Sequence, residues 1–154
     1  MLRQKLNEAL KAAMKAKEER RVSTTRLILA ALKDRDIAAR GDGRPDGITD
    51  DEILVLLQMM VRQRRESIEL YEKGARSELA DQEREEIAII EEYLPRQLSE
   101  HEVTDAAKKL VAEVGAKGIK DMGKVMAQLK ARYAGQLDLS KASAIVKNIL
   151  GAAA

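Results

Sequence analysis

No cysteine occurs in the 154 residues, and neither phenylalanine nor tryptophan. The first absence removes disulfides, thiolate nucleophiles and thiolate-ligated zinc together. The second leaves Tyr71, Tyr93 and Tyr133 as the only aromatic side chains. A core must then come from Leu, Ile, Val, Met and Ala. That points to helices, because sheets draw on aromatic and β-branched residues. It also removes most rings on which single-strand binders stack bases. Histidine occurs once, as His101, among acids at a predicted helix start with no partner motif around it. No apolar run approaches the roughly 20 residues that cross a bilayer, and no basic-then-apolar leader opens the chain. A soluble, cytoplasmic protein with no membrane contact is expected.

Charge is nearly balanced overall, at 28 basic against 26 acidic residues, but it is unevenly placed. Residues 1–26 hold eight Lys/Arg against three acids, 66–92 hold three against ten, and 115–154 hold seven against two. Basic ends around an acidic middle suit contact with a polyanion, internal complementarity, or solubility alone.

Helical periodicity runs along the whole chain. Leu2, Leu6, Ala9, Leu10, Ala13 and Met14 form one stripe over 2–17. A second helix is expected from about Ser23 to Ala38, with Leu29, Ala31 and Leu32 inward and Ser23-Thr24-Thr25 as N-caps. Residues 41–47 (GDGRPDG) form a loop by composition, without the GKS/T ending or preceding strand of a phosphate loop. Thr49 and Glu52 read as a capping box for a third helix that carries Ile53, Leu57, Met60, Val61, Arg64, Ile68 and Tyr71 and stops at Gly74. A fourth, about Arg76 to Leu94, turns Leu79, Ile87, Ile90 and Leu94 inward and Glu85, Glu86, Glu91 and Glu92 to solvent. Pro95 ends it.

Pro95-Arg96-Gln97-Leu98 reads as a linker between domains 1–95 and 96–154. Ser99 and Glu102 then open a fifth helix reaching about Val114. A sixth spans about Asp121 to Arg132 and a seventh about Ser140 to Leu150, with the closing alanines frayed. The fold class expected is all-α: about four helices, then a compact three-helix domain.

Few residues suit catalysis. The serines are scattered, so no nucleophile stands with a base and an oxyanion hole. The glutamates of the fourth helix lack the E-x-x-H partner of di-metal bundles. No zinc, dinucleotide or Walker pattern occurs. Accordingly no catalytic residue, metal ligand or cofactor is assigned. Arg62, Arg64 and Arg65 have acids one turn away, as in Arg62–Glu66 and Arg65–Glu69, and read as structural ion pairs. Lys117, Lys120, Lys124, Lys130, Arg132, Lys141 and Lys147 have few acidic neighbours and are the candidate phosphate contacts.

Several stretches together resemble one family. They are RQRRESIELYEKGAR at 62–76 with Leu79-Ala80 after it, IIEEYLPRQLS at 89–99, KDMGKVM at 120–126 and RLILAALK at 26–33. In this order, over nearly the whole chain, they resemble the YqeY family. The resemblance implies a helical N-terminal domain and a three-helix domain similar to the tail of GatB, an amidotransferase subunit acting on mischarged tRNA. That tail helps hold tRNA, while the chemistry occurs elsewhere. The resemblance therefore implies a non-catalytic tRNA- or RNA-associated module; a protein-interaction adaptor is the alternative, and a glutamine-dependent amidotransferase activity ranks third. Within the G-K-V-M element it implies core roles for Val125 and Met126, helix contact at Gly123 and phosphate contact at Lys124. Gln136 stands where the family carries a basic residue, which removes one charge from that turn.

Overall fold

Three helix ends show how local chemistry divides the chain. The computed structural model describes residues 1–153, in seven α-helices without a strand among them. Helix α1 (Leu2–Lys15) closes on Lys17 at φ +57°, with Glu18 N–H bonded to the Ala13 carbonyl at 3.1 Å. Helix α3 (Asp50–Lys73) closes the same way: Ala75 takes φ +57° and Arg76 N–H reaches the Tyr71 carbonyl at 2.8 Å. Helix α5 (Glu100–Val114) uses Gly115 at φ +66°. All three are left-handed closures of the Schellman kind, two of them built without glycine. Helix α3 stops at Gly74 as expected, although Gly74 itself keeps φ −86° and the left-handed residue is Ala75.

Both expected capping boxes form. Thr49 starts α3 with Glu52, and Ser99 starts α5 with Glu102. Each glutamate is also gripped by an arginine, Arg44 and Arg96 respectively. The arginine bond, then the backbone N–H, holds both carboxyls down to about 2.

The chain falls into two compact units, Met1–Leu94 and Pro95–Ala154. In unit 1, α1, α2 (Glu19–Gly41), α3 and α4 (Ser77–Glu91) enclose Leu6, Ile28, Ile53, Leu57 and Ile90, all fully buried. Each such side chain contributes roughly 1.5–3 kcal/mol. In unit 2, α5, α6 (Met122–Arg132) and α7 (Leu139–Ala153) enclose Val125, Leu129, Val146 and Leu150. A short 3-10 turn, Ile119–Asp121, leads into α6. Helix α7 continues to Ala153, past the expected end at Leu150, and Ala154 lies outside the described residues.

Helix α2 departs most from expectation. It begins at Glu19, four residues before Ser23, so Thr24 and Thr25 are interior residues and not caps. Both are fully buried, and neither hydroxyl has a hydrogen-bond partner of good geometry. Their β-branched shape packs in the core. Burial pushes the nearby Tyr93 phenol above its usual range, Glu92 adds to the rise, and the Thr25 hydroxyl lies near enough to lower it in part.

The 41–47 loop is a clamp and not a phosphate cradle. The Arg3 guanidinium donates to Asp36 Oδ2 at 3.0 Å and to the Ile48 carbonyl at 2.6 Å, while Ile48 N–H donates to Asp36 Oδ1 at 2.9 Å. One buried carboxylate so ties α1, α2 and the loop. The Arg3 bond holds Asp36 below the usual carboxylate range. Gly47, at φ +80°, lies against it: a Cβ there would sit 2.2 Å from Asp36 Oδ1.

The acidic face of α4 is largely consumed within unit 1. Glu86 is buried, contrary to its solvent assignment, and accepts from Arg64 Nε at 2.9 Å. Arg20 bonds Glu85 at 3.2 Å, Arg21 pairs with Glu92, and Arg65 bonds Glu91 at 3.3 Å. Arg65 therefore crosses to α4, whereas i,i+4 spacing suggests Glu69. Internal complementarity accounts for much of the acidic middle.

Candidate nucleic-acid interface

Unit 2 positions its charges by three local devices. At the start of α6, Asp121 Oδ2 accepts the Lys117 backbone N–H at 3.0 Å, closing the Gly118–Asp121 turn. That bond, with the Lys124 and Lys120 ammonium groups nearby, lowers the Asp121 carboxyl. Lys120 and Lys124 thus lie near one carboxylate already committed to the Lys117 backbone. At the start of α7, Asp138 accepts the Ser140 N–H at 2.8 Å, which fits its place at the head of the helix. Between α6 and α7 the turn is held by the interdomain segment: Gln97 Nε2 donates to the Gly135 carbonyl at 2.6 Å and Leu98 N–H to the Gln136 carbonyl at 2.7 Å.

The seven candidates divide. Lys117, Lys120, Lys124, Lys130, Lys141 and Lys147 are all exposed, and none enters an ion pair among the described residues. Arg132 does not belong with them. Its guanidinium bonds Glu113 on α5 at 2.9 Å, a partner 19 residues upstream that helical spacing does not reveal. Two further lysines, Lys108 and Lys109 on α5, are exposed and equally unpaired. The window of lopsided charge at 115–154 leaves them out; the adjacent pair itself was the signal.

The G-K-V-M element also divides. Val125 is fully buried and Met126 packs against the unit 2 core, as the resemblance implies. Gly123 makes no close helix contact: it is exposed, and a Cβ there would meet nothing within 4 Å. Tyr133 is partly buried against the same core. His101 is exposed on the first turn of α5 beside Asp105, at 3.2 Å. No cluster of three metal-capable side chains occurs among the described residues. No helix there is long and apolar enough to cross a membrane.

Comparison with known proteins places this arrangement. A protein of Lachancea thermotolerans named Altered inheritance of mitochondria protein 41, mitochondrial, is 34% identical over 111 residues, 71% of this chain and 57% of that protein. The protein of the same name from Eremothecium gossypii is 30% identical over 151 residues, 96% of this chain and 80% of that protein. That from Vanderwaltozyma polyspora is 34% identical over 89 residues, and the chain spans 46% of it. These names overturn the expectation of a cytoplasmic location, since each relative is named as mitochondrial. Composition misleads here because a helical chain without a membrane-spanning run looks the same in either compartment. Residues 3–150 match the family described as Yqey-like protein, and the chain belongs to that family.

Proposed function

We propose that unit 2 binds RNA, tRNA foremost, as a non-catalytic accessory module. One observation carries the reading: eight lysines of unit 2 are exposed without an ion pair, while its two arginines are both paired with glutamates. Unpaired ammonium groups on a folded surface attract phosphates and displace their counterions. The resemblance to the amidotransferase tail selects tRNA among polyanions. The reading needs no nucleophile or cofactor, and it predicts no glutamine- and ATP-dependent amide formation on mischarged tRNA.

An adaptor role resting on the acidic α4 draws less support. Glu85, Glu86, Glu91 and Glu92 are occupied by arginines of their own unit. The test is fluorescence anisotropy of labelled tRNA titrated with the full chain at low and near-physiological salt. Affinity should fall steeply with salt. Absence of binding at low salt would end the reading.

A further inference from the structure

Helix α2 carries apolar residues on both sides, and only one side is buried. Ile28, Leu32 and Ala39 enter the unit 1 core. Opposite them Leu27, Ala30, Asp34 and Ile37, at i, i+3, i+7 and i+10, form an exposed stripe, with Leu27 49% and Ile37 54% accessible. A helix that is apolar all round is ordinarily covered all round. Neighbouring helices extend the patch, since Met14 of α1 and Val55 of α3 are exposed as well.

The cations beside this stripe differ from those elsewhere. Arginine is the residue with which this chain holds carboxylates, from Arg3–Asp36 to Arg132–Glu113. Arg26 and Arg35 have no carboxylate partner among the described residues. Arg26 rests on Met14 Sδ at 3.5 Å and Arg35 on Met59 Sδ at 3.6 Å. A thioether is a weak acceptor, so either guanidinium can leave it for a carboxylate at little cost. At about 100° per residue the two fall on opposite edges of the stripe, about 14 Å apart along the axis. Arg26 lies toward α1 and Arg35 toward α3. Asp34 stands on the stripe itself, exposed and without a partner among the described residues.

We propose that the outer face of α2 docks an amphipathic helix of a partner protein, whose apolar side covers Leu27, Ala30 and Ile37 and whose edge carboxylates take Arg26 and Arg35. The spacing of the stripe is that of helix-on-helix anchors, and the guanidinium fork matches a carboxylate bidentately. An anionic membrane or an RNA would also meet apolar ground flanked by cations. Asp34 decides against both, because it would face phosphates from the middle of the patch. A protein helix can bring a lysine or arginine to it. The proposal concerns unit 1 and is independent of RNA binding by unit 2.

The test titrates the full chain against a labelled helical peptide. The peptide has leucines at i, i+3, i+4 and i+7, glutamates along both edges and one lysine on the apolar axis. Fluorescence anisotropy should show binding, at least about tenfold tighter than for the peptide with every charge reversed. Arg26→Gln with Arg35→Gln should weaken the acidic peptide about tenfold or more, and so should Leu27→Ser with Ile37→Ser. Because these side chains are exposed, the melting temperature should not move in either variant, which is the folding control. No binding of the acidic peptide, equal binding of the reversed one, or indifference to the arginine pair would overturn the proposal. So would phosphatidylserine vesicles bound through Leu27 and Ile37, which would make the occupant lipid. Self-association in sedimentation that those serine variants abolish would make it a second copy, and would overturn it too.

Discussion

Unit 1 carries 18 basic and 20 acidic side chains and unit 2 ten and six, but the more telling difference is what those charges touch. In unit 1, Arg3, Arg20, Arg21, Arg64 and Arg65 cross between elements to carboxylates, two of them buried. In unit 2 the arginines are spent the same way, and eight lysines remain over. The planar guanidinium suits fixed, multidentate pairing; the ammonium group, on a flexible stem, stays solvated and mobile. The chain uses one cation to hold its shape and leaves the other outside. The same division holds in unit 1, where Lys5, Lys11, Lys15, Lys17, Lys33 and Lys73 are exposed and lack ion pairs, so the units differ in how many lysines stand free and not in kind.

The largest effect that would break this comparison is expected at Gly47. Gly47→Ala meets a strained backbone and a carboxylate that Arg3 and Ile48 prevent from yielding. It should cost about 2–4 kcal/mol in urea unfolding while leaving RNA affinity of the folded protein unchanged. A neutral outcome would remove the Asp36 clamp from the account. Next comes charge reversal in unit 2. Lys124→Glu with Lys130→Glu should weaken tRNA binding about tenfold or more at low salt, with stability altered by less than about 0.5 kcal/mol. A large stability loss instead would mean that these lysines belong to the fold.

Ala75→Gly sharpens the comparison from the other side, since it touches no charge. It relieves a left-handed alanine and should stabilise unit 1 by about 0.5–1 kcal/mol, seen as a raised urea midpoint. The smallest effect is expected at Glu83. Burial, then repulsion from Glu86, raises its carboxyl above the ordinary value. A raised carboxyl costs nothing while protonated in both states, and its cost appears as pH climbs through the unfolded value to the folded one. Glu83→Gln should therefore add a few tenths of a kcal/mol at pH 7 and nothing below about pH 4. A gain that persists in acid would point to packing in place of charge.

Much of the fold was legible in the sequence because the signals were local. The stripes of α1, α3 and α5, the Thr49 and Ser99 boxes, and Pro95 all act within a turn or two of themselves. What was missed depends on distant partners. Thr24 and Thr25 look like caps until the helix is seen to begin at Glu19. Glu86 looks solvated until Arg64 comes across from α3. Gly74 does end α3, yet the left-handed residue is Ala75, which no propensity favours. In the candidate site the lysines were legible as charge, and Arg132 was not legible as a partner of Glu113. The compartment was illegible altogether.

The most direct test compares charge reversal in the two units by the salt dependence of tRNA binding. Wild-type protein, Lys124→Glu/Lys130→Glu and Lys11→Glu/Lys15→Glu would each be titrated from about 50 to 200 mM salt. The account predicts a steep slope for wild type, a shallower slope and weaker binding for the unit 2 pair, and behaviour within about twofold of wild type for the unit 1 pair. Equal losses from both pairs, or loss confined to the α1 pair, would contradict it.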